Sequence, residues 1–204
     1  MSSPDFDAQS TALLVVDLQN DFLHPDGAYG RAGQGSADIA ALPARVKPVA
    51  DAVRTAGGYI VSTQFTLVPG KGGDPIISDH LKKLRPFLGK ADFAPGSWGN
   101  RMVDEMGEAD FTIEKIAYSA FYMTRLEWVL RKVGVETLIV AGIVTNGGVA
   151  STVRNAHVLD FDTIVLEDGC AAFKPEVHET AIADLRTISV TTTCDEMIQK
   201  LIEN

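Results

Sequence analysis

With 204 residues, 46% of them hydrophobic and 22% charged, the chain is long enough to bury one substantial core and lies far from the composition of a disordered protein. A formal net charge of -9, from 18 basic and 27 acidic residues, would repel a phosphate backbone, and no basic stripe interleaved with aromatics offsets it, which disfavours nucleic-acid binding. No apolar run approaches the ~18 residues of a membrane span, and residues 1–9 are polar and acidic instead of basic and then apolar. The expectation is a cytoplasmic protein with no membrane partner, folded as a single domain over residues 1–204.

In chain order, the apolar run Ala12–Val16 predicts a first strand, and an amphipathic stretch over 38–56 predicts a helix that ends at Gly57-Gly58. A second strand follows over Tyr59–Thr63. The stretch Phe65–Asn100 shows no periodicity and is rich in Pro and Gly. It reads as a lid or binding element, or as a surface insertion, with a short helix around Leu81. Strands over Phe111–Glu114, Thr137–Ala141, Thr163–Leu166 and Ile188–Thr191 then alternate with helical patterns over 122–133, 148–159, 176–185 and 196–202. Gly134 is placed to cap the first of these helices, and Pro175 to open the third. Strands that read as nearly continuous apolar runs are covered on both faces. The predicted fold is therefore α/β, a three-layer α/β/α sandwich with a six-stranded parallel sheet, Rossmann-like in organisation.

In such a sheet the ligand crevice lies beyond the carboxyl ends of the strands. That rule selects Asp17, Gln64, Lys115, the run Thr145-Asn146-Gly147-Gly148 and Asp168. Asp17 emerges from a strand of the most buried kind, where a partly desolvated carboxyl can give or take a proton, although an Asp there can also simply cap a turn. Lys115 can hold that charge or an anionic substrate, or stand as an exposed strand-end lysine. Gly147-Gly148 opens a helix whose first amides lack internal partners, which makes an anion site or a tight bend. Cys170 and Cys194 form no disulfide or metal pattern and read as small packing residues. His24, His80, His157 and His178 have no ligand spacing, and Gly70-Lys71-Gly72-Gly73 is not a phosphate loop. Neither metal nor cofactor is expected.

Four segments carry a family likeness. They are Ala12–Phe22 (ALLVVDLQNDF), Glu114–Phe121 (EKIAYSAF), Val140–Ala156 (VAGIVTNGGVASTVRNA) and Glu167–Ala172 (EDGCAA). In this order and spacing the chain resembles the isochorismatase-like hydrolase superfamily over nearly its whole length. Most members use an Asp, a Lys and a nucleophilic Cys. The resemblance implies Asp17 and Lys115 in the first two roles, but Gly148 stands where the cysteine would be. A glycine cannot form an acyl intermediate. True isochorismatases also carry glycine at this point and cleave a vinyl ether, with the Asp protonating its carbon and water adding to the resulting cation.

The resemblance further implies substrate contacts from Gln64, Phe22, Tyr118, Thr145, Asn146 and Gly147, a cis peptide leading into Thr145, and a homodimer or homotetramer. Lys71, Lys82, Lys83, Arg85 and Arg101 could serve a dianionic small-molecule substrate or form a solvated face. The segment Asp21–Ala28 is similar to that of relatives acting on ureido and carbamoyl compounds, so amide or ureide hydrolysis stays open. So does a binding module that has lost its chemistry.

Overall fold

The computed structural model describes residues 6–203, so residues 1–5 of the polar opening segment and the final residue, 204, lie outside the described residues. Strands β1 (Thr11–Val16), β2 (Tyr59–Phe65), β3 (Phe111–Lys115), β4 (Thr137–Ile143), β5 (Asp162–Ala171) and β6 (Val190–Thr192) form one sheet in the order β3-β2-β1-β4-β5-β6. Every adjacent pair is parallel, as the unbroken apolar strands require. The helices are α1 (Asn20–Leu23), α2 (Ala28–Arg31), α3 (Ala37–Ala40), α4 (Leu42–Thr55), α5 (Asp79–Leu84), α6 (Leu126–Lys132), α7 (Ala150–Val158), α8 (Pro175–Leu185) and α9 (Cys194–Glu203).

Side chains alternate across a strand, and the two faces of β1 make two cores. Leu13 and Val15 pack with Val46, Val49 and Val53 of α4 and Met197 and Leu201 of α9. Ala12, Leu14 and Val16 pack with Leu126 and Leu130 of α6, Val153 of α7 and Leu185 of α8. This is the three-layer sandwich. Its connections diverge on either side of β1 and β4, so the topological switch point, where such sheets bind ligands, lies between these two strands.

Several predicted boundaries shift for local reasons. The helix predicted from residue 122 begins only at Leu126, because Met123 adopts φ 55° and Thr124 bonds back to the Ala120 carbonyl. Ile188 and Ser189 belong to the turn after α8, their amides bonding to Leu185, which leaves β6 to start at Val190. β5 continues through a register shift to Ala171, five residues beyond its predicted end. The cis peptide joins Ile143 to Val144, one residue earlier than predicted.

The long stretch after β2 is clasped to the segment that follows Asp17. Gln19 donates to the Phe65 and Asn100 carbonyls at 3.0 and 2.7 Å and accepts from the Phe65 amide at 2.9 Å. Asn20 donates to the Trp98 carbonyl, and Asp21 accepts from the Ala28 and Phe93 amides. These bonds satisfy backbone groups that have no ladder or helix to join. They also seat an aromatic cluster of Phe22, Tyr29, Phe65, Phe87, Phe93 and Phe173 over the sheet edge.

Candidate active site

Regular alternation beyond Val16 would aim Asp17 toward α4, with Leu13 and Val15. Its φ of 55° breaks that alternation. A left-handed residue other than glycine costs about 1–3 kcal/mol and persists only where its surroundings hold it. The carboxylate turns instead to the face shared by Val61 and Ile113, where Lys115 Nζ lies 2.6 Å from Asp17 Oδ2. Thr63 Oγ1 donates to Asp17 Oδ1 at 2.7 Å and accepts from the Asp17 amide at 3.2 Å. Lys115 also donates to the Ala117 carbonyl at 3.0 Å, and the Phe65 ring stands 5.4 Å from its ammonium. The carboxylate and ammonium side chains are only 6% and 2% exposed.

Gly148 adjoins this pair. A Cβ built on it would stand 3.3 Å from Asp17 Oδ2, 3.2 Å from Val16 Cγ1 and 2.7 Å from the Ile143 carbonyl oxygen. The backbone of Gly148 therefore packs directly against the acid, with no room for a side chain unless its neighbours move. Gly148→Ala should cost roughly 1–3 kcal/mol, since a backbone carbonyl has to move to admit the methyl. Urea unfolding of the two proteins measures this.

Gly147 is buried against Tyr118, whose ring would lie 3.2 Å from a Cβ there, and Tyr118 itself is exposed beside the turn. Phe22 is half-buried, with ring centroids 4.5 Å from Phe93 and 5.0 Å from Tyr29. Asn146 is exposed. Thr145 is wholly buried and engages His178 Nδ1 at 2.8 Å. Gln64 lies opposite Glu114 in the β2–β3 register, and Phe65 opposite Lys115. Alternation thus puts Gln64 on the other face of the sheet from the ion pair, and the neighbours that β2 supplies to it are Thr63 and Phe65. Asp168 does not end its strand; its Oδ1 accepts from the Cys194 amide and caps α9.

Neither cysteine replaces the missing nucleophile. Both are buried, and burial pushes the Cys170 thiol up to about 12 and the Cys194 thiol well above its ordinary value, so neither presents a thiolate. Burial also raises Tyr29, against the pull of Arg85, which donates to its hydroxyl. Among the described residues, no group of three or more His, Cys, Asp and Glu side chains is placed to hold a metal ion. No helix there is long and apolar enough to cross a membrane.

The doubly wound parallel sheet thus brings a buried acid from the end of β1 and a buried lysine from the end of the edge strand β3 into contact beyond the carboxyl ends of the strands. The Isochorismatase domain family matches residues 11–196. The fold superposes on a cysteine hydrolase from Pseudomonas syringae pv. phaseolicola 1448A with a TM-score of 0.83, at 24% identity, over 100% of this chain and 99% of that one. An N-carbamoylsarcosine amidase from Thermoplasma acidophilum has a TM-score of 0.72 at 23% identity, covering 91% of this chain and 96% of that chain. A nicotinamidase from Bacillus subtilis likewise has a TM-score of 0.72 at 23% identity, covering 90% and 98%. The chain belongs to the isochorismatase family of hydrolases.

Proposed function

We propose that this protein hydrolyses a small molecule without a covalent enzyme intermediate, Asp17 moving the proton and water supplying the oxygen. The observation that carries this reading is the buried Asp17–Lys115 pair set against the bare Cα of Gly148. Its most concrete form is cleavage of a vinyl ether such as isochorismate. Asp17, a carboxylate in its pair with Lys115, first takes up a proton from solvent as substrate binds and gives it to the terminal carbon of the double bond, and Lys115 offsets the carboxylate that re-forms. Water adds to the oxocarbenium carbon and returns a proton to Asp17. The hemiketal then breaks its C–O bond to release pyruvate and the alcohol. Tyr118, Phe22, Gly147 and Asn146 are the residues proposed to contact the substrate, and Thr145 to hold the turn that carries Gly148.

A second reading, hydrolysis of a neutral amide or ureide by water activated at Asp17, is favoured by the charge around the site. Arg85 is turned to Tyr29 and to the Leu84 carbonyl, and Lys82 to Asp79, so these two cations are already engaged, while the Phe65 ring of the aromatic cluster walls Lys115. That wall suits a neutral or singly charged substrate better than a dianion. Pyruvate release from isochorismate, set beside ammonia release from a panel of small amides and ureides, decides between the two. Asp17-dependent turnover of either class supports the proposal. Binding without turnover of any of them would reduce the protein to a binding module.

Self-association belongs to the same proposal. Ile116, Tyr118, Tyr122, Met123 and Trp128 expose apolar surface along one segment next to Lys115, which fits burial against a second copy. Light scattering after size exclusion should return a dimer or tetramer mass, and Trp128→Glu should shift it toward the monomer. A monomer at all concentrations overturns this part.

A further inference from the structure

His178 stands apart from the ion pair, on α8, yet it touches the turn that presents Gly148. Its Nδ1 lies 2.8 Å from Thr145 Oγ1, and Thr145 is fully buried. The Thr145 carbonyl in turn accepts from the Ala150 amide, closing the turn that leads into α7. On its other side the imidazole lines a hollow of about 400 Å³ with Asp38, Arg45, Glu167 and Glu179. We propose that His178 is a positioning residue for residues 145–149, holding Thr145 and thereby setting where Gly148 stands against Asp17.

A neutral imidazole bearing its proton on Nε2 accepts the Thr145 hydroxyl proton at Nδ1. Protonation makes Nδ1 a donor, so the bond inverts and the hydroxyl hydrogen must find another acceptor in a closed space. Burial lowers the pKa of His178 from its ordinary value, Glu167 of β5, Glu179 of α8 and Asp38 of α3 oppose that, and Arg45 of α4 adds to it. Because the folded state binds this proton less readily than the unfolded chain, the contribution to stability is present above the unfolded pKa. It is lost as pH falls through the folded one. The hollow thus feeds electrostatic changes to the turn through one ring and one hydroxyl.

The inference rests on the reading of this turn as part of the active site, but it can be tested without turnover, so the two can fail separately. Amide and imidazole resonances of the whole protein, followed from pH 8 to pH 5, should show the amides of residues 145–149 moving with the midpoint reported by the His178 ring. Thr145→Ser should keep that response, and Thr145→Val should reduce it by about threefold or more while the ring still titrates. His178→Gln should remove the midpoint from the amide curves. Turn amides that ignore the ring in the wild-type protein overturn the inference. So does the same midpoint persisting in His178→Gln, which would assign it to the surrounding carboxylates.

Discussion

Asp17→Asn is expected to lower turnover by about 10²–10⁴-fold and to cost about 3–5 kcal/mol of stability. Both effects follow from the 2.6 Å contact with Lys115 between two almost wholly buried side chains. The amide cannot exchange the proton, and it leaves the ammonium facing the Ala117 carbonyl and the Phe65 ring with no counter-charge. Lys115→Met should cost a similar amount, since the carboxylate then keeps only the Thr63 hydroxyl as a side-chain partner. Replacing both members of a buried pair removes the stranded charge. The double variant Asp17→Asn/Lys115→Met should therefore regain most of the stability lost by either single variant and none of the turnover. Urea unfolding and initial rates on the four proteins separate the two effects.

Asp21→Ala should destabilise the protein by about 2–6 kcal/mol, because it strands two buried amides at about 1–3 kcal/mol each. Asp21 Oδ1 accepts from Ala28 at 2.9 Å and Oδ2 from Phe93 at 2.6 Å, and the carboxylate is buried against Gly99. The fit is close enough that a Cβ on Gly99 would fall 2.2 Å from Oδ2. Asp21→Asn keeps one acceptor oxygen and should lose about half as much. Because the same bonds seat Phe93 in the aromatic cluster, residues 65–100 of Asp21→Ala should be cut by protease faster than in the wild-type protein. Unchanged stability and cleavage would mean that the Gln19 and Asn100 bonds hold this stretch unaided.

The strands and their order of chemistry along the sheet edge were legible because unbroken apolar runs and strand-end polar residues are local signals. Asp17 and Lys115 could be named for that reason, and Gly148 through the family likeness. The hidden features depend on contacts far apart in sequence. Gln19 and Asn100 are 81 residues apart, and Thr145 and His178 are 33 apart, with no periodicity linking either pair. The long stretch after β2 therefore reads as irregular, although it is closely hydrogen-bonded. Thr63 and Phe65 could have been preferred to Gln64 by extending the alternation of Val61 through β2. The turn of Asp17 onto that face could not, since it depends on a backbone angle that neighbouring residues do not dictate. Met123 hid in the same way, a left-handed residue inside a stretch with helical spacing.

The most direct test is the turnover of the double variant Asp17→Asn/Lys115→Met beside the wild-type protein, each shown to be folded, on a substrate the wild-type protein cleaves. Proton transfer by Asp17 predicts a loss of about 10²-fold or more with stability nearly intact. A double variant that turns over within about threefold of the wild-type rate would contradict it, because general acid–base catalysis contributes far more than that.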